Sequence, residues 1–158
     1  MYERILVPLD GSKVGEAALP IVSELVSKLS PEHKVEVILF RSIAQLTYWV
    51  IAGETSARVP YTDKELETVR KKTQAYLDQA GEALIRKGVV VKTKVSFGDA
   101  AGEILKAADE LNIDLVAMST HGRSGFRRWA FGSVTDKVLR AGKVPVLMAR
   151  APKEIAET

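Results

Sequence analysis

Between residues 118 and 135 the chain reads Met118-Ser119-Thr120-His121-Gly122-Arg123-Ser124-Gly125-Phe126-Arg127-Arg128-Trp129-Ala130-Phe131-Gly132-Ser133-Val134-Thr135. The apolar run Leu115 to Met118 ends here and a helical pattern, Val134 to Ala141, begins. The segment therefore reads as a strand, a glycine-punctuated loop and a helix N-terminus. The first turn of a helix carries N–H groups without intrahelical partners and a partial positive charge, which together favour an anion. Gly122 and Gly132 let the backbone approach a ligand with no Cβ in the way. Ser133 is placed to cap the helix, with Asp136 three residues on in a weak capping-box spacing, or to turn its hydroxyl to a phosphate. Arg123, Arg127 and Arg128 add positive charge. This is the chemistry of a phosphate cradle, set against a purely structural turn, because glycine-bearing strand-loop-helix junctions are common. His121 has no evident nucleophile or carboxylate partner and reads as structural. Phe126, Trp129 and Phe131 read as an apolar anchor for the loop.

The elements that must position this loop follow from periodicity. Arg4 to Leu9 is a short apolar run of the kind found in a strand buried on both faces, and Asp10-Gly11-Ser12 turns the chain with Asp10 or Ser12 available as a helix cap. Ala17, Ala18, Ile21, Val22, Leu25, Val26 and Leu29 then share a helical face, with a kink expected at Pro20. Lys34 to Phe40 reads as the second strand. A long connection, 43 to 61, groups Tyr48, Trp49, Val50 and Ile51; packing against the body is the first reading, with a pocket cover or a partner contact as alternatives. Thr62-Asp63-Lys64-Glu65 has capping-box spacing and opens an amphipathic helix ending near Gly88, about 40 Å long at 1.5 Å per residue. Val89 to Val95 reads as the third strand, Gly98-Asp99 opens another helix, and Asp114 to Met118 is the fourth strand. Val144 to Ala149 is the fifth, and Pro145 places it at an edge because proline cannot complete a central ladder.

Strands alternating with helices five times, without an internal repeat or a linker, predict a doubly wound α/β fold: a parallel sheet with helices on both faces. Ligands of such sheets bind beyond the carboxyl ends of the strands, where strand order reverses. Adjacent first and fourth strands would bring Asp10 and the Gly122 loop into one crevice.

At 158 residues the chain has the length of one domain, taken as 1–152, with 153–158 as a short tail. No apolar run approaches the roughly 18 to 20 residues of a membrane helix, and Ile5 to Leu9 is too short for a signal peptide. Cysteine is absent, which excludes disulfides and thiolate chemistry and is compatible with a reducing cytoplasm, the expected location. A formal charge of +3 with scattered lysines gives nucleic-acid binding little support.

The cradle resembles the nucleotide-binding loop of the universal stress protein family, in which a glycine, two residues, a second glycine, nine residues and then glycine with serine or threonine follow one another. Gly122, the nine residues Arg123 to Phe131, and Gly132-Ser133 match that spacing, while Ser119 stands in place of the first glycine. Ile5 to Ser12, Gly98-Asp99, Asp114 to Met118 and Val144 to Leu147 resemble other parts of the family, so the likeness covers nearly the full length. It implies a five-stranded sheet of order 3-2-1-4-5, Rossmann-like and adenine nucleotide alpha-hydrolase-like, and a homodimer through the last, C-terminal edge strand. It implies ATP with Mg2+, or ADP or AMP, as ligand. Pro8 and Leu9 would line the adenine side, and backbone groups near Arg41 and Ser42 would meet the adenine edge. Asp10 would accept from ribose hydroxyls or help hold the metal. Gly122, Arg123, Gly132, Ser133 and Val134 would hold the phosphates, over a floor of Met118 and Ser119. The serine at 119 would either crowd the phosphates or hydrogen-bond to them.

The resemblance thus implies an ATP-binding regulatory or stress-response protein. The alternative is a nucleotide-free dimeric scaffold that binds a protein partner. Hydrolysis would be slow at most, since no residue stands out as a base for water and no lysine sits in a G-x-x-x-x-G-K-[ST] frame. A Rossmann oxidoreductase would need G-x-G-x-x-G where this chain has Pro8-Leu9-Asp10-Gly11. A phosphoacceptor receiver would need an acidic cluster where only Asp10 stands.

Overall fold

The protein is described here from a computed structural model, which describes residues 2–29, 34–44, 46–120 and 132–156. In order, the elements are β1 (Arg4–Pro8), α1 (Lys13–Glu16), α2 (Ala18–Lys28), β2 (Glu36–Ile43), β3 (Thr47–Ala52), β4 (Thr55–Pro60), α3 (Asp63–Arg86), β5 (Val90–Phe97), α4 (Ala100–Glu110), β6 (Leu115–Thr120), α5 (Ser133–Ala141), β7 (Val146–Arg150) and α6 (Lys153–Ala156). Five strands form one parallel sheet of order β5-β2-β1-β6-β7, which is the 3-2-1-4-5 order when these strands are counted along the chain.

Alternation along the buried strands divides the core in two. Ile5, Val7, Val37, Leu39 and Ala117 face Val22 of α2 and Leu77 and Leu84 of α3. Leu6, Ile38, Phe40, Val116 and Met118 face Ile104 of α4 and Val138 of α5 on the other side. Helices therefore cover both faces, as a sheet of near-continuous aliphatic strands requires.

The register of the central strands opens a crevice. β1 and β6 pair at Ile5↔Leu115 and Leu6↔Val116. β1 pairs with β2 as far as Pro8↔Phe40, and β6 pairs with β7 as far as Thr120↔Arg150. The carboxyl ends of β1 and β6 thus part, each held to its outer neighbour, at the point where strand order reverses.

Several local expectations are realised. Thr62 and Glu65 form a reciprocal capping box at the start of α3. Asp99 caps α4 by accepting from the Gly102 N–H at 2.9 Å and also pairs with Lys137 of α5 at 2.9 Å, joining the N-terminus of α4 to the middle of α5. The kink expected at Pro20 is not at that residue: Pro20 falls in the first turn of α2, where a missing N–H is tolerated, and the helical run breaks at Ala17 instead. Pro145 lies one residue before the edge strand β7, and its carbonyl accepts from the Val116 N–H at 3.0 Å.

The 43 to 61 connection departs from the packed arrangement expected for it. It contains an antiparallel hairpin, β3 with β4, that turns at Gly53 with φ +63°. Trp49 is 64% exposed and Ile51 77% exposed, so the apolar group projects into solvent. Removing the α3 cap with Thr62→Ala should cost about 1 kcal/mol, seen as a lower urea midpoint at unchanged slope.

Candidate functional site

The crevice is built from the β1–α1 turn upward. The Leu9 N–H donates to the Phe40 carbonyl at 2.8 Å, so the backbone stays tied to β2 for one residue past the strand. Asp10 Oδ1 then accepts from the Ser12 N–H at 2.9 Å and from the Ser12 hydroxyl at 2.6 Å. Ser12 Oγ in turn accepts from the Gly15 N–H at 3.0 Å and is the N-cap of α1. Of the two candidate caps, the structure thus uses Ser12, and Asp10 orients it. Gly15 must lack a side chain here: a Cβ would stand 2.6 Å from Asp10 Oδ1. Burial pushes the Asp10 carboxyl up, but the two Ser12 hydrogen bonds and the Arg41 charge outweigh it and leave the group below its ordinary value.

Arg41 supplies that charge from β2. Alternation from Leu39 puts its side chain on the α3 side of the sheet, where its guanidinium lies 5.2 Å from the Tyr76 ring centroid. It also crosses Gly11, whose φ is +86° and where a Cβ would meet Nη1 at 2.8 Å. The Tyr76 hydroxyl donates to Glu16 Oε1 at 3.1 Å, and Glu16 Oε2 pairs with Lys13 at 2.9 Å. Burial, with the Glu16 carboxylate beside it, pushes Tyr76 up to about 12, so it stays a neutral donor. The Arg41 and Tyr76 side chains and Gly15 were not singled out as site residues from sequence. The available signal was a cation at an inward-facing position of a buried strand, which demands partners.

Ser42 follows on the opposite face. Its hydroxyl donates to the Gly98 carbonyl at 2.7 Å, tying β2 to the β5–α4 turn. Since the Phe40 carbonyl faces β1, the backbone groups of Ser42, two residues on, face the same side, beyond the last β1 pair. Pro8 is half-buried, whereas the side chains of Leu9 and Met118 belong to the core, on its two opposite faces. Ser119 donates its hydroxyl to the Gly15 carbonyl at 3.0 Å, across 104 residues of sequence.

At the other side of the crevice α5 begins. Its N-cap is Gly132 and not Ser133, which is its first helical residue; the Asp136 N–H bonds the Gly132 carbonyl at 2.9 Å. The Asp136 carboxylate does not reach back as a capping box would: it accepts from Arg140 Nε at 3.0 and 2.9 Å. Gly132 brings no side-chain acceptor to the cap, and among the described residues no side chain caps the first N–H groups of α5. Gly132 and Ser133 are exposed and Val134 is half-buried against the α4–α5 core. His121, Gly122, Arg123, Phe126, Arg127, Arg128, Trp129 and Phe131 lie outside the described residues.

Among the described residues no group of three or more His, Cys, Asp or Glu is placed to hold a metal ion. No helix among them is long and apolar enough to cross a membrane. A groove of about 440 Å³ lies elsewhere, beside β7 at the amino ends of the strands, lined by Tyr2, Ile21, Leu25, Pro145 and Leu147 among others.

The sheet order and the parted central strands define an adenine nucleotide alpha-hydrolase-like α/β protein. A model of the universal stress protein family matches residues 1–150, and the chain belongs to that family. Universal stress protein YxiE of Bacillus subtilis is 29% identical over 150 residues, covering 95% of this chain and all of that one. The solved structure of MJ0577 from Methanocaldococcus jannaschii superposes with a TM-score of 0.68 at 24% identity, over 96% of this chain and 98% of the other. A universal stress protein in complex with cAMP gives 0.66 at 18% identity, over 94% and 97%. One from Archaeoglobus fulgidus in complex with dAMP gives 0.61 at 19%, over 93% and 97%.

Asp10 sets a pH dependence whose sign is fixed. Its folded pKa lies below the unfolded value, so its stabilisation is full above the unfolded value and is lost as pH falls through the folded one. The stability difference between wild type and Asp10→Asn, measured by urea unfolding, should be constant near neutrality and shrink as pH drops below 3.8.

Proposed function

We propose that this protein is an adenine-nucleotide-binding regulatory protein, with ATP as the ligand and hydrolysis slow at most. The observation that carries this reading is the crevice itself. An ionised Asp10 stands on one side, and the N-terminus of α5, whose cap is a glycine with no side-chain acceptor of its own, stands on the other. A ribose hydroxyl suits the first and a phosphate the second. The complexes of two structural neighbours with cAMP and dAMP support the choice of adenine nucleotides.

In this reading the backbone of Ser42 meets the adenine edge, with Pro8 and the Leu9 backbone beside it. Gly122, Arg123, Gly132, Ser133 and Val134 hold the phosphates, and Met118 and Ser119 form the floor. Mg2+ would accompany the phosphates, since it is commonly held by one carboxylate together with phosphate oxygens, and helping to hold it is the alternative role of Asp10 to accepting from the ribose. When bound, the ion supplies charge neutralisation. Regulation then follows from phosphate contacts that set the conformation of the segment between β6 and α5. The protein acts in the cytoplasm as a homodimer through β7, whose outer edge is unpaired in the sheet and adjoins the apolar groove of Tyr2, Ile21 and Leu25.

A second reading, a nucleotide-free dimeric scaffold for a protein partner, draws on the exposed Trp49 and Ile51 of the hairpin. One experiment separates the two. The protein is purified without added nucleotide and denatured, released nucleotide is identified by chromatography, and Mg-ATP is titrated into wild type and Gly132→Asp. A Cβ at Gly132 has open space, so the variant should fold. Wild type should bind, and the added carboxylate should weaken binding at least about tenfold, a loss of ~1.4 kcal/mol. Neither release nor binding at millimolar Mg-ATP would leave the scaffold reading.

A further inference from the structure

Ser119 is the last residue but one of β6, still paired with Ala149 of β7, at the position of the first glycine in the loop spacing the chain otherwise matches. Its hydroxyl is the start of a continuous polar path. Ser119 Oγ donates to the Gly15 carbonyl at 3.0 Å, and the Gly15 N–H donates to Ser12 Oγ at 3.0 Å. The Ser12 hydroxyl donates to Asp10 Oδ1 at 2.6 Å. Four residues from two distant parts of the chain thus link the end of β6 to the carboxylate at the end of β1. Those two strands are not paired with one another at this level, since their last shared pair is Leu6↔Val116.

We infer that Ser119 is a positioning residue of the nucleotide site: its hydroxyl fastens the β1–α1 turn to the end of β6 and so fixes where Asp10 presents its carboxylate. The inference rests on reading the crevice as the nucleotide site. A glycine at this position has no side-chain donor, and this hydrogen bond between the β1–α1 turn and β6 would be lost. With serine, the ordering of Asp10 relative to β6 is completed on folding instead of on binding, and preorganisation of this kind raises affinity. The hydroxyl proton is directed at Gly15, so Ser119 acts through Asp10 and not by donating to a phosphate.

The test combines Ser119→Ala, Ser119→Thr, Asp10→Asn and the double variant Ser119→Ala/Asp10→Asn. In the nucleotide-free protein, NMR amide exchange at Ser12 and Gly15 should speed up in Ser119→Ala and return toward wild type in Ser119→Thr, whose hydroxyl can make the same bond. Mg-ATP affinity should fall about three- to tenfold in Ser119→Ala, the size of one lost hydrogen bond. It should fall by little further when Ser119→Ala is added to Asp10→Asn, because residues acting through one another are non-additive. Unchanged exchange at Ser12 and Gly15 in Ser119→Ala overturns the inference, and so does full additivity with Asp10→Asn. Should wild type bind no adenine nucleotide, the functional reading fails by itself, and the exchange measurement still decides whether Ser119 holds the turn.

Discussion

The pairing of β1 with β6 at Ile5↔Leu115 and Leu6↔Val116 is the constraint on which the rest of the structure depends. It joins the first part of the chain to the last, and it is where the sheet stops growing in one direction and starts growing in the other. Because β1 stays with β2 and β6 stays with β7 past this point, the two central strands part at their carboxyl ends. The parting is held open from both faces. Leu6 and Val116 are fully packed against the α4–α5 layer, and Ile5 and Leu115 against the α2–α3 layer. A crevice formed this way has a base of fully packed strand residues.

Electrostatics then divides the rim. A carboxylate held ionised by Ser12 and Arg41 occupies the β1 side, and the glycine-capped start of α5 lies on the β6 side. Arg41 also packs over Tyr76, whose hydroxyl reaches Glu16, so the turn that carries Asp10 is braced against the long helix α3. The Asp99–Lys137 pair joins the N-terminus of α4 to the middle of α5 on the opposite layer. Each side of the crevice is thereby anchored to a different helical layer, and the Ser119 hydroxyl is the link across.

Much of this was legible in the chain because it depends on short-range rules. Continuous aliphatic runs marked Ile5 to Val7 and Leu115 to Met118 as buried strands, and Thr62 with Glu65 marked a helix start, since both patterns encode local geometry. The Asp10 turn was legible for the same reason. The hairpin at Thr47–Pro60 was not read as such, although Ala52-Gly53-Glu54-Thr55 between β-rich runs carries a two-residue turn signal; its exposed aromatic group suggested burial instead. Ser133 was read either as the cap or as a hydroxyl turned to a phosphate; the cap falls on Gly132, a one-residue shift that propensity alone does not resolve. Arg41 gains its role from Tyr76 and Gly15 from Ser119, both distant in sequence, so the one local sign was a cation at an inward-facing position of a buried strand.

A crystal structure of the protein grown with Mg-ATP tests the central claim most directly. The account predicts nucleotide density across the parted ends of β1 and β6, with the sugar at Asp10, the base at the Ser42 backbone and the phosphates at the first N–H groups of α5. Nucleotide bound in the groove beside β7 or against the hairpin, with the crevice holding only water, would contradict it.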